Sequence, residues 1–429
     1  MTVLNSGIQA NSSLQHLDLE AKGLSAAVCA ELAEALAGHA SIRQVTLAQN
    51  DLRDEGIAAL APGLLRLHVL DIRSTGLEGE AGWQALGRVL QEGRLEVLHC
   101  ESNSMSEAGA AALAPALASC KSLRQLHMGR CGLSPTSAQQ LAASLPPQLE
   151  TLDWSECGVG PEGAAALAGA LEAGRCAALR SLVLCGCGLG DEGVVALARG
   201  LAGVTDKAKG IEGSTMNGSR AGDRGRGSID SSSAATVATT SAAAGGGGNA
   251  SGGSGLALDL GGNPLSRAGV AALRAVPPGL LASLRLHGCQ LGDAGAEELA
   301  DIIRTSTSAT FGEGGNLTGA ESCINNGGTL SGGRGSGSNG GVSRAFSGLR
   351  ELDVSCCDMH AEGLLALLGA LRDDASACAS LRLVVLAGND GLDSALVAAA
   401  VEGLQEARQG LVIVRRAADS GELGTRNAG

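Results

Sequence analysis

One short pattern, L-x-x-L-x-L-x-x-(N/C)-x-L, recurs along the chain and leaves little choice of fold. Its fullest copy is residues 179–201, LRSLVLCGCGLGDEGVVALARGL, where Leu179, Leu182, Leu184, Cys187 and Leu189 fill the pattern. A Gly-Asp-Glu-Gly turn, Gly190–Gly193, follows, and then an Ala/Leu-rich helix. Eleven such units begin at Leu14, Ile42, Leu67, Leu95, Leu123, Leu149, Leu179, Gly255, Leu281, Leu349 and Leu381, most of them 25–32 residues apart. A unit of that length cannot enclose a core alone, so it must bury its apolar face against copies of itself.

Each unit predicts one short strand and one helix. The apolar residues at unit positions 4 and 6, such as Leu17/Leu19, Leu126/Met128 and Leu182/Leu184, alternate with polar ones, so one face of the strand points inward. Position 9 carries Asn50, Asn103, Cys131, Cys157, Cys187, Asn263, Cys289, Cys357 and Asn389, with Lys22 and Thr75 departing from the rule. There the chain turns inside a buried place, and an amide or thiol can bond the exposed backbone. Five of the thirteen cysteines are thereby read as structural. Leucine pairs at i, i+4, from Leu32/Leu36 to Leu367/Leu371, give each helix one buried stripe. Acidic residues at the helix starts, such as Asp54-Glu55 and Asp191-Glu192, are read as complements to the helix N-terminus.

These motifs resemble leucine-rich repeats of the ribonuclease-inhibitor-like class, and the G-(D/E)-E-G-x-x-A-L-A-x-A-L portion is similar to the C-terminal repeats of NLR innate-immune receptors. No G-x-x-x-x-G-K-(S/T) nucleotide-binding motif accompanies them. The resemblance implies an α/β solenoid of about eleven repeats. It would be a right-handed horseshoe with a parallel β-sheet on the concave face and helices on the convex face.

The expected organisation is an N-terminal segment 1–13, repeats 1–7 over 14–202, repeats 8–9 over 255–304, and repeats 10–11 with a closing strand over 347–416, then a polar tail 417–429. Two Gly/Ser/Ala-rich segments, 203–254 and 305–346, lack apolar periodicity and are expected to be disordered loops in helix-to-strand connections. Residues 1–13 offer no clear cap for the first repeat, which a solenoid needs for solubility. Trp154, at core position 6, is expected to pack inside, and Trp83 to be partly exposed on its helix.

Composition narrows the function classes. Aromatics make up 1% of residues and tyrosine is absent, so the core must be layered Leu, Ala, Val and Ile, and aromatic anchors are scarce. A net charge of −13 argues against a nucleic-acid face or a polybasic membrane contact. The cysteines form no C-x-x-C pair, the first residues lack a signal-peptide pattern, and no long apolar run exists, which together suggest a cytoplasmic protein. The Asn-x-Ser/Thr matches at Asn11, Asn217, Asn249 and Asn316 are then read as chance.

The outward residues at position 5 form a row down the sheet. Parallel neighbours sit about 4.8 Å apart, so Asp71, His99, His127 and Asp153 should stand side by side. The expected partner-binding patch is Asp71, Glu96, His99, Glu101, Arg124, His127, Arg130, Asp153 and Glu156. A metal at His99/His127 is the sharper alternative. Nothing in the pattern supplies a closed tetrahedral cage, so neither metal nor cofactor is expected. Nor is a zinc site expected at Cys185/Cys187 or Cys356/Cys357, because one member of each pair is a buried ladder residue. No catalytic Ser/His/Asp or Cys/His set is readable.

The function that follows is a non-enzymatic scaffold or adaptor binding a protein partner on its concave face, favouring a partner with a basic surface. An alternative is a GTPase activator resembling Ran GTPase-activating proteins, for which Arg53 and Arg73 are the early-loop candidates. A further alternative is a structural component of a ciliary or cytoskeletal assembly.

Overall fold

The computed structural model describes residues 6–8, 10–212, 255–305, 346–373 and 378–416. Twelve strands form one sheet in strict sequence order. They are β1 (His16–Asp18), β2 (Gln44–Thr46), β3 (Val69–Asp71), β4 (Val97–His99), β5 (Gln125–His127) and β6 (Thr151–Asp153) in the first half. The second half holds β7 (Ser181–Val183), β8 (Leu256–Asp259), β9 (Leu281–Arg285), β10 (Glu351–Asp353), β11 (Leu383–Val385) and β12 (Val412–Val414). All the pairings are parallel, and the sheet passes without a break from β7 to β8 and from β9 to β10. The expected closing strand is β12, paired to β11.

Helices alternate with the strands: α1 (Ala26–Gly38), α2 (Arg53–Leu64), α3 (Glu80–Glu92), α4 (Glu107–Ser119), α5 (Pro135–Ala142) and α6 (Gly160–Glu172). Then come α7 (Gly190–Glu212), α8 (Arg267–Ala272), α9 (Gly292–Arg304), α10 (Ala361–Asp373) and α11 (Ala395–Ala407). Sheet and helices form the two layers of an α/β horseshoe solenoid. The core lies between them, where Leu126, Leu152 and Leu182 from the strands and Leu113, Leu141 and Leu167 from the helices are fully buried. Each such leucine contributes about 1.5–3 kcal/mol relative to exposure. Trp154 packs inside as expected.

The ladder position works as its chemistry suggests. Asn103 Oδ1 accepts from the Thr75 and Leu77 amides at 3.1 Å, and its Nδ2 donates to the Ile72 and Cys100 carbonyls at 2.9 Å. One side chain thus satisfies the turn of the preceding repeat. Asn50, Asn263 and Asn389 do the same. A cysteine rung does less: Cys187 Sγ donates to the Trp154 carbonyl at 3.0 Å. Thr75, which departs from the pattern, is fully buried and donates from Oγ1 to the Ile72 carbonyl at 2.8 Å. Position 8 of every unit, from Ala21 to Gly388, has positive φ, which turns the chain off the sheet.

The acidic helix starts differ from expectation. Asp54, on α2, accepts from the Gly79 amide at 2.9 Å, at the start of α3. Asp191, on α7, accepts from Ser266 N at 2.8 Å before α8, and Asp293, on α9, from His360 N at 2.8 Å before α10. Each aspartate therefore reaches forward to the next helix rather than serving its own. The second glycine of the motif makes room, since a Cβ on Gly363 would lie 2.5 Å from the Asp293 carboxylate.

Three further expectations change. Trp83 is fully buried, and its indole donates to the Ser104 carbonyl at 3.0 Å, because Gly109 on the next helix leaves space for the ring. The first repeat is partly covered by its own chain: Ile8 is buried in the core, and Ser41 Oγ donates to the Ser12 carbonyl at 2.8 Å. Helix α7 runs to Glu212, past the boundary placed at residue 202. Glycine-rich sequence sets in after that point, beginning at Gly213. Residues 213–254, 306–345 and 417–429, which hold nearly all of the two Gly/Ser-rich segments and the whole polar tail, lie outside the described residues.

Candidate functional site

Register decides what meets on the concave face. The position-5 residues align one to one, Asp71 with His99, His99 with His127, and His127 with Asp153. The expected row is therefore present across β3–β6. The His99 and His127 rings stack with centroids 4.5 Å apart and planes 19° from parallel. His99 Nδ1 lies 3.5 Å from Glu101 Oε1, and His127 Nδ1 lies 3.7 Å from Asp153 Oδ2.

Other members of the patch pair along their own positions. Arg130 and Glu156, both at position 8, make a two-pronged pair at 2.7 and 2.5 Å. Arg124, at position 2, bonds Glu150 of the next repeat at 2.6 Å and turns away from Glu96 in the repeat before. Glu150 was not among the expected residues, although the same-position rule points to it. Arg73 was also missed from the patch: its guanidinium grips the Asp71 carboxylate at 2.6 and 2.9 Å.

These contacts set the electrostatics. Burial pushes the Asp153 carboxyl up, but the nearby His127 imidazole and hydrogen bonding from Ser155 outweigh it and hold the group below its usual range. The Arg130 guanidinium likewise lowers the Glu156 carboxyl. The patch is thus a set of mutually compensated charges, a fixed pattern of donors and acceptors. Near-parallel stacked rings direct their in-plane lone pairs side by side, not toward one point.

A second cluster lies farther along the sheet. Cys185 Sγ is 3.5 Å from His287 Nε2, and His287 Nδ1 is 3.7 Å from Asp259 Oδ1. The three come from the repeats holding β7, β8 and β9. Gly261, between them, lets the ring cross, because a Cβ there would lie 2.1 Å from His287 Cε1. Sequence reasoning missed this Cys-His-Asp set, since Cys185 and His287 are 102 residues apart and skip one repeat. Burial, reinforced by Asp259, Glu156 and Asp153, pushes the Cys185 thiol up to about 11. A nucleophilic role needs the thiolate at neutral pH, and this environment opposes it. Burial also raises Asp259, against the opposing pull of the Gly261 amide, His287 and Arg285. Cys187 serves its ladder carbonyl and takes no part, while Cys356 is exposed.

Comparison with known proteins agrees with this scaffold. A family model described as "Leucine Rich repeat" matches residues 147–168, 175–198, 280–300 and 349–368. The chain is 34% identical to the ribonuclease inhibitor of Mus musculus over 167 residues, covering 37% of this chain and 36% of that protein. It is 26% identical to human (Homo sapiens) NACHT, LRR and PYD domains-containing protein 13 over 137 residues, 31% of this chain and 13% of that one. Little more than a third of the mouse relative's length is therefore matched. The crystal structure of the yeast Rad7 and Elc1 complex contains a chain that aligns over 98% of this chain and 88% of its own, at 14% identity and a TM-score of 0.43. Eleven copies of one unit stacked on a parallel sheet, with these matched segments among them, are leucine-rich repeats similar to those of the ribonuclease-inhibitor-like class.

Proposed function

We propose that the protein is a non-enzymatic interaction module whose concave face, centred on β3–β6, binds a protein partner. The observation that carries this reading is the pre-arranged polar surface. Arg73–Asp71, the His99–His127 stack, His127–Asp153 and Arg130–Glu156 hold their geometry before any partner arrives. Pre-arrangement reduces the ordering cost of association. Both tryptophans are buried, and among the described residues the large exposed apolar side chains are Leu396 and Val412. Recognition at β3–β6 is therefore polar. With a net charge of −13, the fitting partner presents a basic surface.

The arginines that a GTPase-activating role needs are already engaged, Arg53 with Asp51 at 2.8 Å and Arg73 with Asp71. No observation favours that role or a cytoskeletal one. Among the described residues no helix is long and apolar enough to cross a membrane. The twelve described cysteines are all free thiols, which fits work in a reducing compartment such as the cytoplasm.

The test is an affinity capture from native extract with three baits: wild type, a His99→Ala/His127→Ala/Asp153→Ala variant, and a convex-face control, Glu31→Ala/Glu34→Ala. The expected result is one partner retained by wild type and control, lost by the correctly folded triple variant, and weakened by added salt. Equal capture of that partner by the triple variant overturns the concave reading.

A further inference from the structure

The Cys185–Asp259–His287 cluster lies outside the β3–β6 patch and is absent from every motif in the sequence. It brings a thiol sulfur, an imidazole nitrogen and a carboxylate oxygen within 4.8 Å of one another. Softer sulfur and nitrogen donors with one oxygen suit zinc and its neighbours rather than magnesium or calcium. We propose that Cys185, Asp259 and His287 form a three-ligand site for a single divalent cation of the zinc type, with a fourth position left for water or a donor from a partner.

Two observations carry this. First, tetrahedral bonds of about 2.0–2.3 Å separate ligand atoms by roughly 3.3–3.8 Å. The Sγ–Nε2 separation of 3.5 Å already falls in that range, so Nε2 is the ligand nitrogen, and the Asp259 carboxylate, which lies beside Nδ1, turns to that side on binding. Second, the cluster is built. His287 reaches Cys185 by lying across the repeat between them, at the one place where Gly261 removes the side chain that would block it. Asp259 is aimed by the Gly261 amide, which donates to its Oδ1 at 2.9 Å. Binding displaces the Cys185 thiol proton to solvent as the metal–sulfur bond forms.

The His99–Glu101–His127 group also brings three donor atoms within 4.8 Å. Its stacked rings must separate before both can face one ion, so it ranks second. The favoured site also spans a special junction. Cys185 precedes the long connection between α7 and β8, and its two co-ligands follow it. A bound ion therefore ties three repeats across that connection.

The experiment is a cobalt(II) titration of the reduced full-length chain, followed by thiolate-to-cobalt charge-transfer absorption in the near ultraviolet, with zinc competition. Wild type is expected to bind one equivalent with a thiolate band that zinc abolishes. Cys185→Ser removes the band, Asp259→Asn and His287→Ala weaken binding by about tenfold or more, and Cys356→Ser leaves it unchanged. Gly261→Ala removes no ligand yet displaces the His287 ring, and it is expected to weaken binding as strongly as His287→Ala. Circular dichroism of each variant reports that it is folded. A wild type that shows no thiolate band, a band that survives in Cys185→Ser, or full affinity in Gly261→Ala overturns the site. Because β3–β6 is untouched by these variants, partner capture through that patch succeeds or fails independently.

Discussion

The two histidine clusters of the concave sheet each hold a position-5 aspartate and behave in opposite ways. On β4–β6 a carboxylate, Asp153, faces an imidazole on the adjacent strand and is held below its usual range. On β8 a carboxylate, Asp259, faces the His287 imidazole just past β9 yet is raised by burial. The difference is in the bonds each carboxylate accepts. Asp153 is held by Ser155, whose amide donates at 2.8 Å, together with the His127 imidazole. Asp259 accepts from the Gly261 amide, and the pull of His287 and Arg285 does not offset its burial. In one cluster the burial of the carboxylate is outweighed, and in the other it is not.

The scaffolds beneath them differ too, and this gives the largest expected effect. Asn263, under the second cluster, accepts from the Cys187 and Leu189 amides and donates to the Leu184 and Leu260 carbonyls. Asn263→Ala orphans several buried groups and is expected to cost about 3 kcal/mol or more in urea unfolding. Under the first cluster the rung is Cys157, which donates once, to the Met128 carbonyl. Cys157→Ala is expected to cost about 1–2 kcal/mol. Equal losses would show that the two rungs are equivalent and would break the comparison.

Arg73→Ala comes next. It leaves the nearly buried Asp71 carboxylate without its guanidinium and is expected to cost about 1–2 kcal/mol, measured in the same way. The neighbouring glycines sharpen the contrast further. Gly129 and Gly261 both occupy position 7, but a Cβ on Gly129 meets the rotatable Ser155 hydroxyl at 2.6 Å, whereas one on Gly261 meets an imidazole ring. Gly261→Ala should shift the His287 ring resonances in a histidine NMR spectrum and cost about 1 kcal/mol. Gly129→Ala should move no histidine signal.

The smallest effect has opposite signs in the two clusters. Asp153 has a lowered folded pKa, so its stabilisation is present above about pH 4 and is lost as the pH falls through the folded value. Asp153→Asn should therefore destabilise at pH 7 and flatten the acid limb of the unfolding profile. Asp259 has a raised folded pKa, so its ionisation disfavours the native state at neutral pH. Without added metal, Asp259→Asn should stabilise at pH 7, each change amounting to about 1 kcal/mol or less. A shared sign would mean that the two carboxylates have the same surroundings.

How much of this was legible in the sequence follows from distance along the chain. The Leu17/Leu19-type pairs announced each strand, and a parallel sheet without stagger then carried Asp71, His99, His127 and Asp153 into one row. Adjacent repeats transmit such information directly. Contacts that skip a repeat do not: nothing near Cys185 points to His287, and Gly261 reads as one more glycine in a turn until a ring is found above it. Local ambiguity hid other features. Asp54 and Asp191 look like caps for their own helices, because a string of residues does not show that the next repeat's helix start lies within reach. Trp83 reads as partly exposed on its helix, because the space that Gly109 leaves for the ring lies in the next repeat.

Those forward-reaching aspartates and backward-reaching asparagines have a consequence for how the chain can grow. Asn263 ties back to the Cys187 turn and Asp191 ties forward to Ser266, so both bonds bridge α7 to β8 without using the polypeptide between them. Asp293 and His360 do the same between α9 and β10. Neighbouring repeats are thus clasped at the strand-to-helix edge, while length is added at the opposite, helix-to-strand edge. Closing a longer connection then costs chain entropy alone, about 0.6 kcal/mol for each doubling. Long inserts at these two points leave the register of the sheet untouched, and the same edge is where a foreign segment could be grafted without unfastening the solenoid.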